Sequence, residues 1–242
     1  MRDYRHFCDQ PQEGWLMIRA YVVRIFSVQT VQRALLAAVL WVVAAFALQF
    51  LRFQVNDSGV TSLSVTAGAS LASFSSVIVA FALCQMEISS REIKLVALLS
   101  GSNLRAGLLT CLHMLLAGVA VVSFLTAVFI LLQLTINTPP AETVNAALYM
   151  LLSSLVLFLI ACALTWLTDN LLTAAAIFLL APLLAFPAIS RVYPPARFYF
   201  SFDPLRQLIS GENQLLSAGT VLSWVVLAAG VSVWRAVALV RK

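Results

Sequence analysis

Long apolar runs alternate with short clusters of charged, proline and glycine residues along this chain, and six of the runs have membrane-crossing length. A hydrocarbon core takes roughly 20 apolar residues, so the pattern predicts spans over about 34–51, 64–86, 104–136, 144–168, 171–189 and 218–239. Met1 to Gln12 are polar. Between them and the first span, Trp15, Ile18, Val22, Ile25 and Phe26 share one arc of a helix over Gly14–Thr30, with Arg24 opposite. Such a helix suits the water–lipid interface.

The runs differ in texture. In the second, Gly68, Ala72, Ser76 and Ala80 recur every four residues, a spacing that lets a neighbouring helix approach closely. The third is about thirty residues long, more than a bilayer needs, and must tilt or project its first turns, which carry His113. That histidine has no carboxylate in a nearby motif and reads as a hydrogen-bonded structural group rather than a proton relay. Thr138, Pro139, Pro140 and Glu142 make a tight turn before the fourth span. Asp169 and Asn170 alone separate the fourth and fifth spans, which makes those two antiparallel neighbours. Pro182 and Pro187 fall inside the fifth, where each deletes a backbone hydrogen bond and kinks or breaks the helix.

Two shorter helices are predicted outside the spans. Asp203-Pro204 is a start signal and Gly211 a stop, placing one before the sixth span, after an aromatic stretch over Arg191–Phe202. The other covers about 90–100, between the second and third spans. Ser89 and Glu92 have the spacing of a capping box, Glu87 and Arg91 that of an i,i+4 ion pair, and Gly101 is a left-handed stop. Arg91 and Lys94 share one face while Leu95, Leu98 and Leu99 share another. A face of that kind either packs on protein or rests on lipid headgroups, and these residues alone leave both open.

Composition agrees with the pattern. Of 242 residues 62% are hydrophobic and 10% charged, against about 25% charged in soluble domains, and the mean hydropathy is +0.96. The chain therefore reads as an all-α, polytopic membrane protein forming a single transmembrane domain. A net charge of +5 in a soluble protein would suggest nucleic acid; here placement decides, and no nucleic-acid partner is expected. Eleven of the fifteen Lys and Arg fall on the side of both termini, and Arg52, Arg191, Arg197 and Arg206 on the other. The positive-inside rule then puts the termini and the 90–100 helix in the cytoplasm.

Candidate chemistry is sparse. Cys84, Cys111 and Cys162 lie within apolar runs, where a thiol acts as a small hydrophobe, and His6 with Cys8 offers too few donors for a metal. No phosphate-binding Gly-x-x-x-x-Gly-Lys-Ser/Thr, no His-Glu-x-x-His and no Gly-x-Ser-x-Gly occurs, so no enzyme activity is expected of the chain. Uphill transport would need a second chain or an ion gradient. The acidic residues all sit at span ends or in loops, which disfavours the gradient.

The layout resembles the ABC-2-type exporter permeases, the membrane subunits of type V ABC transporters. The likeness lies in the interfacial helix, the six spans, the charged insertion from Glu87 to Arg105, and Phe202-Asp203-Pro204-Leu205 before the last span. Asp203 stands where the family usually has Asn or Ser. The resemblance implies that the insertion is a coupling helix docking on a separate ATPase, with Glu87, Arg91, Glu92 and Lys94 as polar contacts and Ile93, Leu95 and Val96 as apolar ones. It further implies two ATPase subunits that bind ATP and Mg, a second permease copy or paralogue, and no cofactor in this chain. The setting it implies is the bacterial inner membrane, the cargo a hydrophobic or amphipathic molecule. Gly68, Ala72 and Ser76, with Pro182 and Pro187, are the expected pathway or packing residues. A non-transporting scaffold or assembly subunit is the alternative, ahead of a gradient-driven transporter.

Overall fold

The structure, a computed structural model, describes residues 28–55, 62–90, 102–136, 138–195, 203–211 and 213–241. Most of the expected interfacial helix (14–27), the expected coupling helix beyond Ser90, and the aromatic segment over 197–202 lie outside the described residues. Every regular element among the described residues is helical, and six stretches are long and apolar enough to cross a membrane.

The first span is α1 (Gln29–Val55), and the second is divided into α2 (Ser62–Ser73) and α3 (Ser75–Ser90). The third is α4 (Asn103–Thr135) and the fourth α5 (Pro140–Thr168). The fifth joins α6 (Leu171–Leu180), a π-helical turn over Ala181–Ala185 and α7 (Phe186–Val192). Helix α8 (Asp203–Ser210) precedes the sixth span, α9 (Gln214–Arg241).

Several boundaries move from their expected places for local reasons. Helix α1 begins five residues early and takes in Arg33, whose long stem can lie along the helix while its head stays in water. Helix α5 begins at Pro140, because proline at the first position needs no amide donor and Glu142 suits the positive end of the helix dipole. Helix α3 continues through Ser89 and Ser90. A serine inside a continuing helix is not an N-cap, which requires non-helical backbone angles, so Ser89 does not begin a separate helix.

The tight turn between the fourth and fifth spans forms as expected, and α6 packs on α5. Asp169 adopts the left-handed conformation (φ 52) that Asp tolerates better than most residues, and Asn170 caps α6 by accepting the Leu172 amide at 2.9 Å and the Thr173 amide at 3.4 Å. Gly211 (φ 82) ends α8 as its sequence position suggests.

The core lies between the second, third and fourth spans. Leu83, Leu125, Phe129, Met150, Phe158 and Trp166 are fully buried there. Within an 18-residue apolar stretch of each span, buried positions make up 61% in the second and the fourth, but 28% in the first, 22% in the sixth and 12% in the fifth. The first, fifth and sixth spans thus form a rim. Helix α5 touches all the other spans except the first along much of its length, and Gly118 of α4 lets it come close: a Cβ there would meet the Phe158 ring at 2.6 Å.

Candidate functional site

Among the described residues, the one interruption of a core helix is at Phe74, near the middle of the second span. The cause is local. Ser73 turns its hydroxyl back to the Ala69 carbonyl and Ser76 to the Ser73 carbonyl, each competing with the helical ladder. Around them the backbone tightens to i−3 bonds, from the Phe74 amide to Leu71 at 3.3 Å and from the Val77 amide to Phe74 at 3.1 Å.

A break inside lipid is tolerated only where neighbouring groups satisfy it, and three spans supply such groups. Trp41 of α1 donates its indole N–H to the Leu71 carbonyl at 2.7 Å. From α5, the Ser153 hydroxyl bonds to that of Ser73, and the Ser154 carbonyl accepts from Ser76 at 2.9 Å. From α6, Phe178 stands edge-on to Phe74 and Phe81, with ring centroids 6.3 and 6.0 Å away. At the break the hydroxyls of Ser75 and Ser154 are buried without a protein partner. Each such group costs about 1–3 kcal/mol, so the break is a weak point in the packing.

Polar contacts continue from the break toward both ends of the second span. At the α2 end, Gln49 of α1 and Gln133 of α4 form a reciprocal amide pair, Gln133 Nε2 to Gln49 Oε1 at 2.9 Å and Gln49 Nε2 to Gln133 Oε1 at 3.4 Å. Thr138 closes the turn before α5 by donating to Gln133 Oε1 at 3.1 Å. Gly68 makes room for this pair, since a Cβ at that position would lie 2.9 Å from Gln49 Cδ. At the α3 end, Cys84 is buried in the core that also holds Cys162 and Trp166 of α5. One turn further on, Glu87 is 2% exposed.

The expected site residues are placed accordingly. Gly68, Ala72 and Ser76 are all buried, but the break divides their stripe: Gly68 faces α1 and Ser76 faces α5. Pro182 and Pro187 are exposed, on a fifth span that packs principally on α5, and the π turn absorbs the first of them. Glu87 is turned into the protein rather than toward a surface. Arg91, Glu92, Ile93, Lys94, Leu95 and Val96 lie outside the described residues. His113 is half-buried on α4.

The Gln49–Gln133 pair was not expected, because it joins residues 84 positions apart. The break itself has a sequence signal, the run Ser73-Phe74-Ser75-Ser76. Among the described residues no group of three or more His, Cys, Asp or Glu is placed to hold a metal. What the seam offers is hydrogen bonds across helix interfaces, about 0.6 kcal/mol each and at most about 1.7 in membrane proteins, weak enough to be remade.

These features define a multi-pass helical membrane protein built around a jointed second span. Compared with known proteins, the chain matches no family profile, no curated protein and no solved structure.

Proposed function

We propose that this chain is the membrane subunit of an ATP-driven exporter, moving a hydrophobic or amphipathic molecule with energy from a separate ATPase. The observation that carries the reading is the jointed second span. Its α3 half runs without interruption to Ser90, at the edge of the charged 91–101 segment, and its other half meets the Gln49–Gln133 pair across the membrane. A push on the charged segment would reach the break first. Because Glu87 is buried, the docking surface on this reading begins at Arg91 and uses Glu92, Ile93, Lys94, Leu95 and Val96. The thinly packed fifth span supports a second permease copy as its cover; on this reading the membrane is the bacterial inner membrane and the 91–101 segment faces the cytoplasm.

The test is purification in mild detergent with identification of co-purifying chains. An ATPase subunit that is lost, or whose hydrolysis slows, in an Arg91→Ala, Glu92→Ala double variant is the expected result. Full assembly and full-rate hydrolysis in that variant would overturn docking by this segment. Buried Glu87, a carboxylate at the end of a span, favours one second reading, coupling to a proton gradient. Transport in vesicles that stops with an uncoupler and persists without ATP would select it.

A further inference from the structure

Helices α5 and α9 pack along each other, and because residues 160–167 lie beside 224–231 while Trp166 and Asp169 meet Arg235, they run in the same direction. Near their C-terminal ends they leave a groove of about 240 Å³, walled by Ile160, Ala163 and Leu167 on α5 and by Trp224, Ala228 and Val231 on α9. Buried Ala163 and Ala228 keep it open, while Leu167 on its edge is exposed. Each wall covers seven helical steps, about 10 Å, against about 15 Å for half of a 30 Å hydrocarbon core. The groove thus matches most of one leaflet and faces the acyl chains.

Its end toward the membrane surface is charged. Arg235 lies one turn beyond Val231 and Asp169 two residues beyond Leu167. The Arg235 side chain donates from Nε to the Trp166 carbonyl at 3.0 Å and from Nη2 to Asp169 Oδ2. This ion pair is not sealed off, since the two side chains keep 17% and 34% of their surface. Nη1 of the guanidinium carries two further N–H groups, and the carboxylate has a second oxygen.

We propose that the groove holds one acyl chain of a phospholipid whose headgroup carries both a phosphate and a primary ammonium, as in phosphatidylethanolamine. The phosphate meets Arg235 at Nη1 and the ammonium meets Asp169 at Oδ1. Charge complementarity selects this headgroup. A purely anionic one satisfies Arg235 but is repelled by Asp169, and a quaternary ammonium has no N–H to donate to the carboxylate. The site rests on the packing of α5 and α9 alone, whatever the chain transports.

The test uses the purified full chain, delipidated and then offered equal amounts of phosphatidylethanolamine, phosphatidylcholine and phosphatidylglycerol with identical acyl chains. Bound lipid is counted by native mass spectrometry. Phosphatidylethanolamine should be retained about fivefold over either competitor, the scale of one charge-assisted hydrogen bond in partial competition with water. In Asp169→Asn, where asparagine also tolerates the left-handed backbone, the preference over phosphatidylcholine should fall to near unity with total retention unchanged. Ala228→Leu, which fills the groove, should lose the bound lipid; if that variant does not fold, the wild-type ranking and Asp169→Asn decide. Equal retention of the three lipids, a preference for phosphatidylglycerol, or an Asp169→Asn variant that keeps the wild-type ranking would each overturn the proposal.

Discussion

Replacing Gly68 by alanine tests whether the polar end of the seam is held as described. The new methyl would sit 2.9 Å from Gln49 Cδ and closer still to its Oε1, so the Gln49 amide must swing away. Elsewhere that would cost little, because the end of a glutamine is flexible. Here the amide is 6% exposed and paired with Gln133, which is fully buried. Swinging it out breaks one or two interhelical bonds, about 0.6–1.7 kcal/mol each, and leaves buried amide groups short of partners at about 1–3 kcal/mol. The net expectation for Gly68→Ala is a loss of about 2–3 kcal/mol.

The sharper quantity is the coupling. In a Gln49→Ala background the space around position 68 is vacant, so adding the methyl there should cost nearly nothing. The double variant should match Gln49→Ala alone, an interaction energy of about 2 kcal/mol in magnitude. Thermal unfolding in detergent, followed through intrinsic tryptophan emission, reads this directly. For a chain of this size 1 kcal/mol moves the midpoint by about 2–4 °C, so Gly68→Ala should lower it by roughly 4–12 °C in wild type and by under about 2 °C beside Gln49→Ala. A loss of the same size in both backgrounds would refute the reasoning.

Two further outcomes are expected. Gly118→Ala should destabilise by about 1–3 kcal/mol, since its methyl would meet the buried Phe158 ring at 2.6 and 2.8 Å. Gly230→Ala, with nothing within 4 Å of the added atom, should be neutral or slightly stabilising; the same thermal assay separates the two, and equal shifts would contradict the α4–α5 packing. In a Cys8→Ser background, a membrane-permeant maleimide should label half-buried Cys111 and leave buried Cys84 and Cys162 at least about tenfold slower until the protein is unfolded in SDS. Fast native labelling of Cys84 would mean that α3 does not lie against α5.

The six spans, the close turn at Asp169 and the short helix ended by Gly211 were legible in the sequence because each depends on local composition or a local cap. So was the small-residue stripe of the second span, although its purpose was not. Periodicity treats 64–86 as one cylinder, and on one cylinder Gly68 and Ser76 would face the same neighbour. The joint at Phe74 rotates the two halves apart, and only then does Gly68 belong to Gln49 and Ser76 to Ser154. Long-range pairs such as Gln49 with Gln133 were beyond reach for another reason: a lone glutamine in an apolar run says that a partner must exist, not where it is. Glu87 shows the opposite error. Its charge suggested a surface, and α3 buries it because the helix outlasts its apolar run by four residues.

The distribution of contacts determines how a displacement could travel. Helix α5 is continuous over 29 residues and packs on both halves of the second span, through Ser153 and Ser154 at the joint. If α3 is pushed from its charged end, α5 cannot bend to follow, and the strain falls on the contacts of lowest energy. Those are the hydroxyl pair and the partnerless hydroxyls of Ser75 and Ser154, not the dense packing around Leu83 and Trp166. Phe178 reads the same event from outside, since its ring touches Phe74 on the joint and Phe81 beyond it. A change in the angle between α2 and α3 must move those two rings relative to each other. The fifth span, held mainly by α5 and by this aromatic contact, is therefore the element that a hinge at Phe74 would shift first.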